Sequence, residues 1–149
     1  PPRHTLDAGS YGKWIATKLK NVTCYHEVNH TESGKYKEEM EIWKLGISLS
    51  KDIYTITATF PKSETYGLTN QLQRAAVSIP SNISEGTARG TDKHFIQFLE
   101  AALGSAYEIE SQLIIALEIE YISKEQFKEL EKQIHKLQSM IAKFIDNLK

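Results

Sequence analysis

Arginine is scarce in this chain and unevenly placed. Of three arginines, Arg74 and Arg89 both fall in or beside one stretch, RAAVSIPSNISEG, while lysine carries the rest of the positive charge. A guanidinium fork suits a fixed bidentate partner, either a carboxylate across an interface or a phosphate. With the neighbouring Lys93 and His94, Arg74 and Arg89 form the candidate nucleic-acid-binding set. Glu85 and Asp92 stand among these bases and lower the local potential, so the predicted binding is weak, sequence-tolerant and salt-sensitive. The same stretch admits a second chemistry. Asn82, Glu85 and Arg89 meet a glycine-marked turn, where polar groups either bind a small molecule or cap helices.

Other chemistries lack their residues. Helical bundles hold di-metal centres with inward carboxylates and a Glu-x-x-His pair on each of two helices, and neither His94 nor His135 has a glutamate three residues earlier. Cys24, His26 and His30 lack a fourth ligand and match no familiar zinc spacing. There is no Walker loop, dinucleotide glycine fingerprint or G-x-S-x-G elbow, and Gly104-Ser105 sits inside a helical stripe. No metal, no cofactor and no enzymatic activity are expected.

The chain of 149 residues, 40% hydrophobic and 25% charged, suits one globular domain with a real core. A formal charge of −1 gives no general pull on nucleic acid, although a local patch can still hold phosphate. No apolar run approaches a bilayer span, and PPRHTLDAGS lacks the blocks of a signal peptide, so no membrane partner and a cytoplasmic location are expected. One cysteine rules out an internal disulfide framework. The chain begins at Pro1 and its methionines are Met40 and Met140, so it reads as something other than a primary translation product.

Residues 1–34 show no sustained helical period and read as an irregular extension, with VTCYHEV a candidate short strand. Residues 35–149 read as a four-helix bundle domain. Ile42, Leu45, Leu49, Ile53, Ile56 and Phe60 form the first stripe, which Pro61 ends. Tyr66 to about Thr87 is the second helix, and Gly86 and Gly90 bracket a turn suited to left-handed backbone. Thr91 is the predicted N-cap of a long third helix carrying Phe95, Leu99, Ala102, Ala106, Ile109, Leu113 and Ala116. Ser123 and Gln126 open the fourth as a capping box. Short turns make neighbours antiparallel, an up-down-up-down bundle.

Pro80 interrupts the second helix, where it removes a hydrogen bond to residue 76, at a cost of roughly 3 kcal/mol in a helix interior. The stripe stays in phase from Ile79 to Ile83, so Pro80 reads as a built-in kink, with small Ala75 and Ala76 admitting a neighbour and Ser78 and Ser81 satisfying freed backbone. Surplus apolar residues remain: Ile96, Leu103, Ile114, Leu117 and Tyr121 on the third helix, and Trp43, Ile47 and Tyr54 on the first. They predict a homo-oligomer interface. The run KEQFKELEKQIHKLQ reads as a solvated face.

The pattern TYGLTNQLQRAAVSIPSNISEGTARGTDKHFIQFLEAALGSAYEIESQL, preceded by KYKEEMEIWKLGISLSKDIY and FPKSETYGLT, resembles the bacterial 23S rRNA intervening-sequence protein family. Pro80, Asn82, Glu85 and Gly86 lie within it. The resemblance begins near Tyr36 and covers about three quarters of the chain; it departs at Thr91, usually serine, and at His94, where an acid often stands. It implies a four-helix bundle, often a ring-like pentamer, whose relatives are encoded within insertions of 23S rRNA genes. A distantly similar bundle, the accessory protein of diversity-generating retroelements, binds nucleic acid and a reverse transcriptase. The expectation is therefore a non-enzymatic oligomeric scaffold or binding protein associated with RNA or another nucleic acid. The alternatives are a protein–protein adaptor and a small-molecule-binding bundle.

Overall fold

The structure, a computed structural model, describes residues 33–149. Cys24, His26, His30, VTCYHEV and nearly all of the predicted extension lie outside the described residues. Within them the apolar stripes become four helices and no strand: α1 (Ser33–Thr57), α2 (Leu68–Thr87), α3 (Asp92–Glu118) and α4 (Lys124–Leu148).

Cross-helix contacts fix the direction of each neighbour. Thr57 and Ser50 of α1 meet Gln73 and the Ala76 carbonyl of α2. Gln71 and Ser78 of α2 meet Gln112 and Ser105 of α3. Phe95 and Glu110 of α3 meet Phe144 and His135 of α4. Glu38 and Asp52 of α1 accept from Asn147 and Gln133 of α4. In every pair one number rises as the other falls, so each helix runs against its neighbours and α4 closes the square against α1. This is the all-α up-down-up-down bundle that the periodicity predicts. Its core is one continuous cluster, with Ile42, Leu49 and Ile53, Leu72 and Ile79, Leu99 and Ile109, and Ile134 and Ile141 at most 1% exposed. Each such side chain contributes about 1.5–3 kcal/mol of burial.

The proline is accommodated by α1 rather than by the serines of its own helix. α2 runs through Pro80, and the Ala76 carbonyl that position 80 cannot reach lies 2.9 Å from Ser50 Oγ, whose one hydrogen it shares with the Gly46 carbonyl at 2.8 Å. Gly46, one turn earlier, makes the approach possible: a Cβ there would lie 3.2 Å from Pro80 Cδ and from Ile79 Cγ2. Ser78 instead donates to the Ala75 carbonyl and meets Ser105, while Ser81 is exposed.

Three predicted boundaries shift. α1 stops at Thr57, ahead of Pro61, because its end tightens into i→i+3 bonds, Thr59 to Ile56 and Phe60 to Thr57, while the Thr57 hydroxyl bonds back to the Ile53 carbonyl. α2 begins at Leu68, leaving Tyr66 exposed, because the Glu64 carboxylate accepts from the Leu68 amide at 2.9 Å and so sets its first turn. Neither Gly86 nor Gly90 is left-handed; the positive φ among the described residues belongs to Glu120, at 61°. Gly86 lies within α2, and a Cβ there would come 2.6 Å from the Phe95 ring and 2.9 Å from Phe98 Cβ, so this glycine serves close approach of α3. The predicted caps form: Thr91 accepts from the His94 amide, and Ser123 and Gln126 exchange both bonds of the capping box.

Candidate nucleic-acid and self-association surfaces

The four predicted phosphate-binding residues occupy two places. Arg74 is exposed midway along α2, at a shallow cleft shared with Gln71 and Ser78 of α2 and Ser105 and Glu108 of α3, and has no ion-pair partner among the described residues. Arg89 follows the end of α2, fifteen residues on. At 1.5 Å per residue the two are about 22 Å apart along the helix. Lys93 and His94, both exposed in the first turn of α3, stand near Arg89 rather than Arg74.

Arg89 is already engaged. Its guanidinium pairs with Glu85 at 2.8 Å and stacks 4.5 Å from the centre of the Phe98 ring, tying the last turn of α2 to the second turn of α3. Both partners are more than one-third exposed, so the ion pair contributes under about 1 kcal/mol. Asn82, the third member of the proposed small-molecule set, donates to the Ser78 carbonyl at 2.8 Å, back along its own helix. The arrangement is that of capping and packing groups at a tight turn. Among the described residues no cluster of three His, Cys, Asp or Glu could hold a metal ion. No described helix is long and apolar enough to cross a membrane.

The predicted interface residues divide by exposure. Trp43, Ile96 and Leu103 are half-buried against the core, as are Leu117 and Tyr121. Ile47, Tyr54 and Ile114 are 46–49% exposed, and Val77 of α2 and Tyr107 of α3, absent from the predicted set, join them at 43% and 54%. On α1, Ile47 and Tyr54 lie one heptad apart on the flank that carries Ser50 towards α2, and Val77 follows the Ala76 carbonyl that Ser50 reaches. On α3, Leu103, Tyr107 and Ile114 share the flank of Glu110, which reaches α4. One apolar strip therefore follows α1/α2 and another α3/α4, which are opposite faces of the square, while Ile115 and Ile119, 51% and 47% exposed, lie on the other flank of α3, towards α2.

The α3/α4 strip borders a polar cluster that sequence reasoning missed. Glu110 accepts from Gln138 at 2.7 Å and bonds His135 at 2.8 Å. The Gln138 bond first, then His135, holds the Glu110 carboxyl below its usual range, and the Glu110 bond raises the His135 imidazole above its own. Nothing in the local spacing of α3 or α4 joins residues so far apart; only the antiparallel register does. Arg74 and the Ser78–Ser105 contact are brought to one cleft by that same register.

Comparison with known proteins agrees with this architecture. The family model described as 23S rRNA-intervening sequence protein matches residues 38–143. No curated protein matches. Among solved structures, a protein of unknown function from the S23 ribosomal protein family of Bacteroides thetaiotaomicron is similar at 20% identity and a TM-score of 0.67, over 73% of this chain and 98% of its own. At that identity the likeness speaks for the fold alone.

Proposed function

The chain belongs to the 23S rRNA-intervening sequence protein family, and from that premise we propose that it is a non-enzymatic, cytoplasmic scaffold or binding protein that works as a homo-oligomer. The observation that carries the reading is the pair of exposed apolar strips, Ile47, Tyr54 and Val77 on one face and Tyr107 and Ile114 on the opposite one. Apolar, aromatic-containing surface beyond what a core needs favours a protein partner. Two different strips on opposite faces favour a head-to-tail contact between copies, which closes into a ring when the rotation per subunit permits. A pentamer is the ring that the family resemblance implies.

Nucleic acid is the partner class that the same resemblance adds. Arg89, Lys93 and His94 support weak phosphate contact at the α2–α3 turn, limited by Glu85 and Asp92 beside them and by the engagement of Arg89. Arg74 supports it separately. Light scattering on the purified chain tests the oligomer: a mass several times that of one chain is expected at micromolar concentration, and Tyr107→Glu lowers it. A monomer throughout would remove the reading's support.

A further inference from the structure

We infer that the cleft between α2 and α3 is a binding site for a small zwitterion of the amino-acid class, its carboxylate held by Arg74 and its ammonium by Glu108. The cleft measures about 360 Å³, at the small end of the roughly 300–1,000 Å³ of ligand sites. Its polar lining is Asn70, Gln71, Arg74 and Ser78 of α2 with Ser105 and Glu108 of α3. The Gln71–Gln112 bond and the Ser78–Ser105 contact bracket it, and the antiparallel register between them sets Arg74 level with Glu108. These two are the charged residues of the lining, one of each sign.

The two walls differ in hydrogen-bonding character. On α2, Arg74 makes no ion pair among the described residues, with Glu108 or any other acid, and Gln71 accepts from Gln112 Nε2 at 3.3 Å, which leaves its own NH2 facing elsewhere and without an acceptor among them. On α3, Glu108 accepts from Gln112 Nε2 at 3.1 Å through one oxygen, and the other has no donor among the described residues. Gln112 itself is 6% exposed. Its amide hydrogens go to Gln71 and Glu108, so its side chain is aimed at the cleft, and its Oε1 is a buried acceptor without a partner among the described residues. Buried carbonyls are almost always paired, so this one stands ready for a donor from outside the chain. Unused donors therefore lie on the α2 side and unused acceptors on the α3 side.

A zwitterion satisfies both walls at once. The guanidinium fork takes a carboxylate through two parallel bonds, with the Gln71 amide beside it. An ammonium brings three hydrogens and no acceptor, which suits the Glu108 carboxylate and the Gln112 carbonyl behind it. A simple anion meets the charge of Glu108 and a simple cation that of Arg74, so a ligand carrying both charges is preferred to either. The site is separate from the Asn82, Glu85 and Arg89 set at the α2–α3 turn. It is built by one chain, on the face between the two apolar strips, and stands whether or not copies assemble.

The test is saturation-transfer NMR of the full chain with each of the common L-amino acids at millimolar concentration, followed by calorimetric titration of the strongest. At least one should bind. Its carboxamide and its N-acetyl derivative each lack one of the two charges and should bind about tenfold more weakly, since each forfeits hydrogen bonds between charged groups. Arg74→Gln and Glu108→Gln should each weaken the free amino acid by a similar factor, with circular dichroism that of the parent. The variants also separate the two contacts: Arg74→Gln should no longer distinguish the amino acid from its carboxamide, and Glu108→Gln should no longer distinguish it from the N-acetyl form. The proposal is overturned if no amino acid binds the parent, if the N-acetyl form or the carboxamide binds the parent as tightly as the free amino acid, or if either variant keeps the parent's affinity.

Discussion

At the scale of single residues, two positions carry chemistry with a measurable signature. Glu120 takes the left-handed conformation at the end of α3, where the Tyr121 amide bonds the Ala116 carbonyl and the Glu120 amide the Leu117 carbonyl, the pattern of a Schellman cap. A side chain costs about 1–2 kcal/mol in that conformation and glycine does not, so Glu120→Gly should raise unfolding free energy in urea by about 1 kcal/mol. The other position is His135. Its pKa is raised mainly by the bond to Glu110, so the stabilisation is full below the unfolded value near 6.5 and is lost as pH rises through the folded value. NMR titration should find the imidazole pKa above 6.5, returning towards it in Glu110→Gln. Neither feature was legible in the sequence: glycines marked the wrong turn for left-handed backbone, and the histidine's partner lies on another helix.

Elements were more legible than the contacts between them. Stripes at steps of three and four placed every helix, because burying one face is what holds a helix of this length in water. The ends moved where local hydrogen bonds overrode the punctuation, at Thr57 ahead of Pro61 and at Glu64 ahead of Leu68. Pro80 shows the limit most clearly. Its removed hydrogen bond was evident from the sequence, but the donor that replaces it, Ser50, lies on α1, 26 residues before the Ala76 acceptor, and Gly46 marks the same contact through missing bulk. Ser50→Ala leaves the Ala76 carbonyl without that donor and should cost about 1–3 kcal/mol. In a Pro80→Ala background an amide at position 80 can reach that carbonyl, so the cost of Ser50→Ala should shrink. Equal costs in the two backgrounds, measured by chemical denaturation, would contradict the pairing.

For the whole molecule, the antiparallel square turns a list of surplus residues into two surfaces. Sequence reasoning found Ile47, Tyr54 and Ile114 but treated the surplus as one property of two helices. It missed Val77, Tyr107, Ile115 and Ile119, because exposure depends on which flank a neighbour covers. The predicted phosphate set divides in space: near one another in sequence, Arg74 and Arg89 stand about 22 Å apart along the helix. The central claim, association between unlike faces, makes a demand that self-complementary association does not. Ile47→Glu/Tyr54→Glu disables one face and Tyr107→Glu/Ile114→Glu the other, so each variant alone should be monomeric. Mixed in equal amounts, each still offers the face that the other lacks. Light scattering of that mixture is the most direct test: the account predicts a species of twice the monomer mass that grows no further, and a mixture that stays monomeric, or either variant that assembles alone, would contradict it.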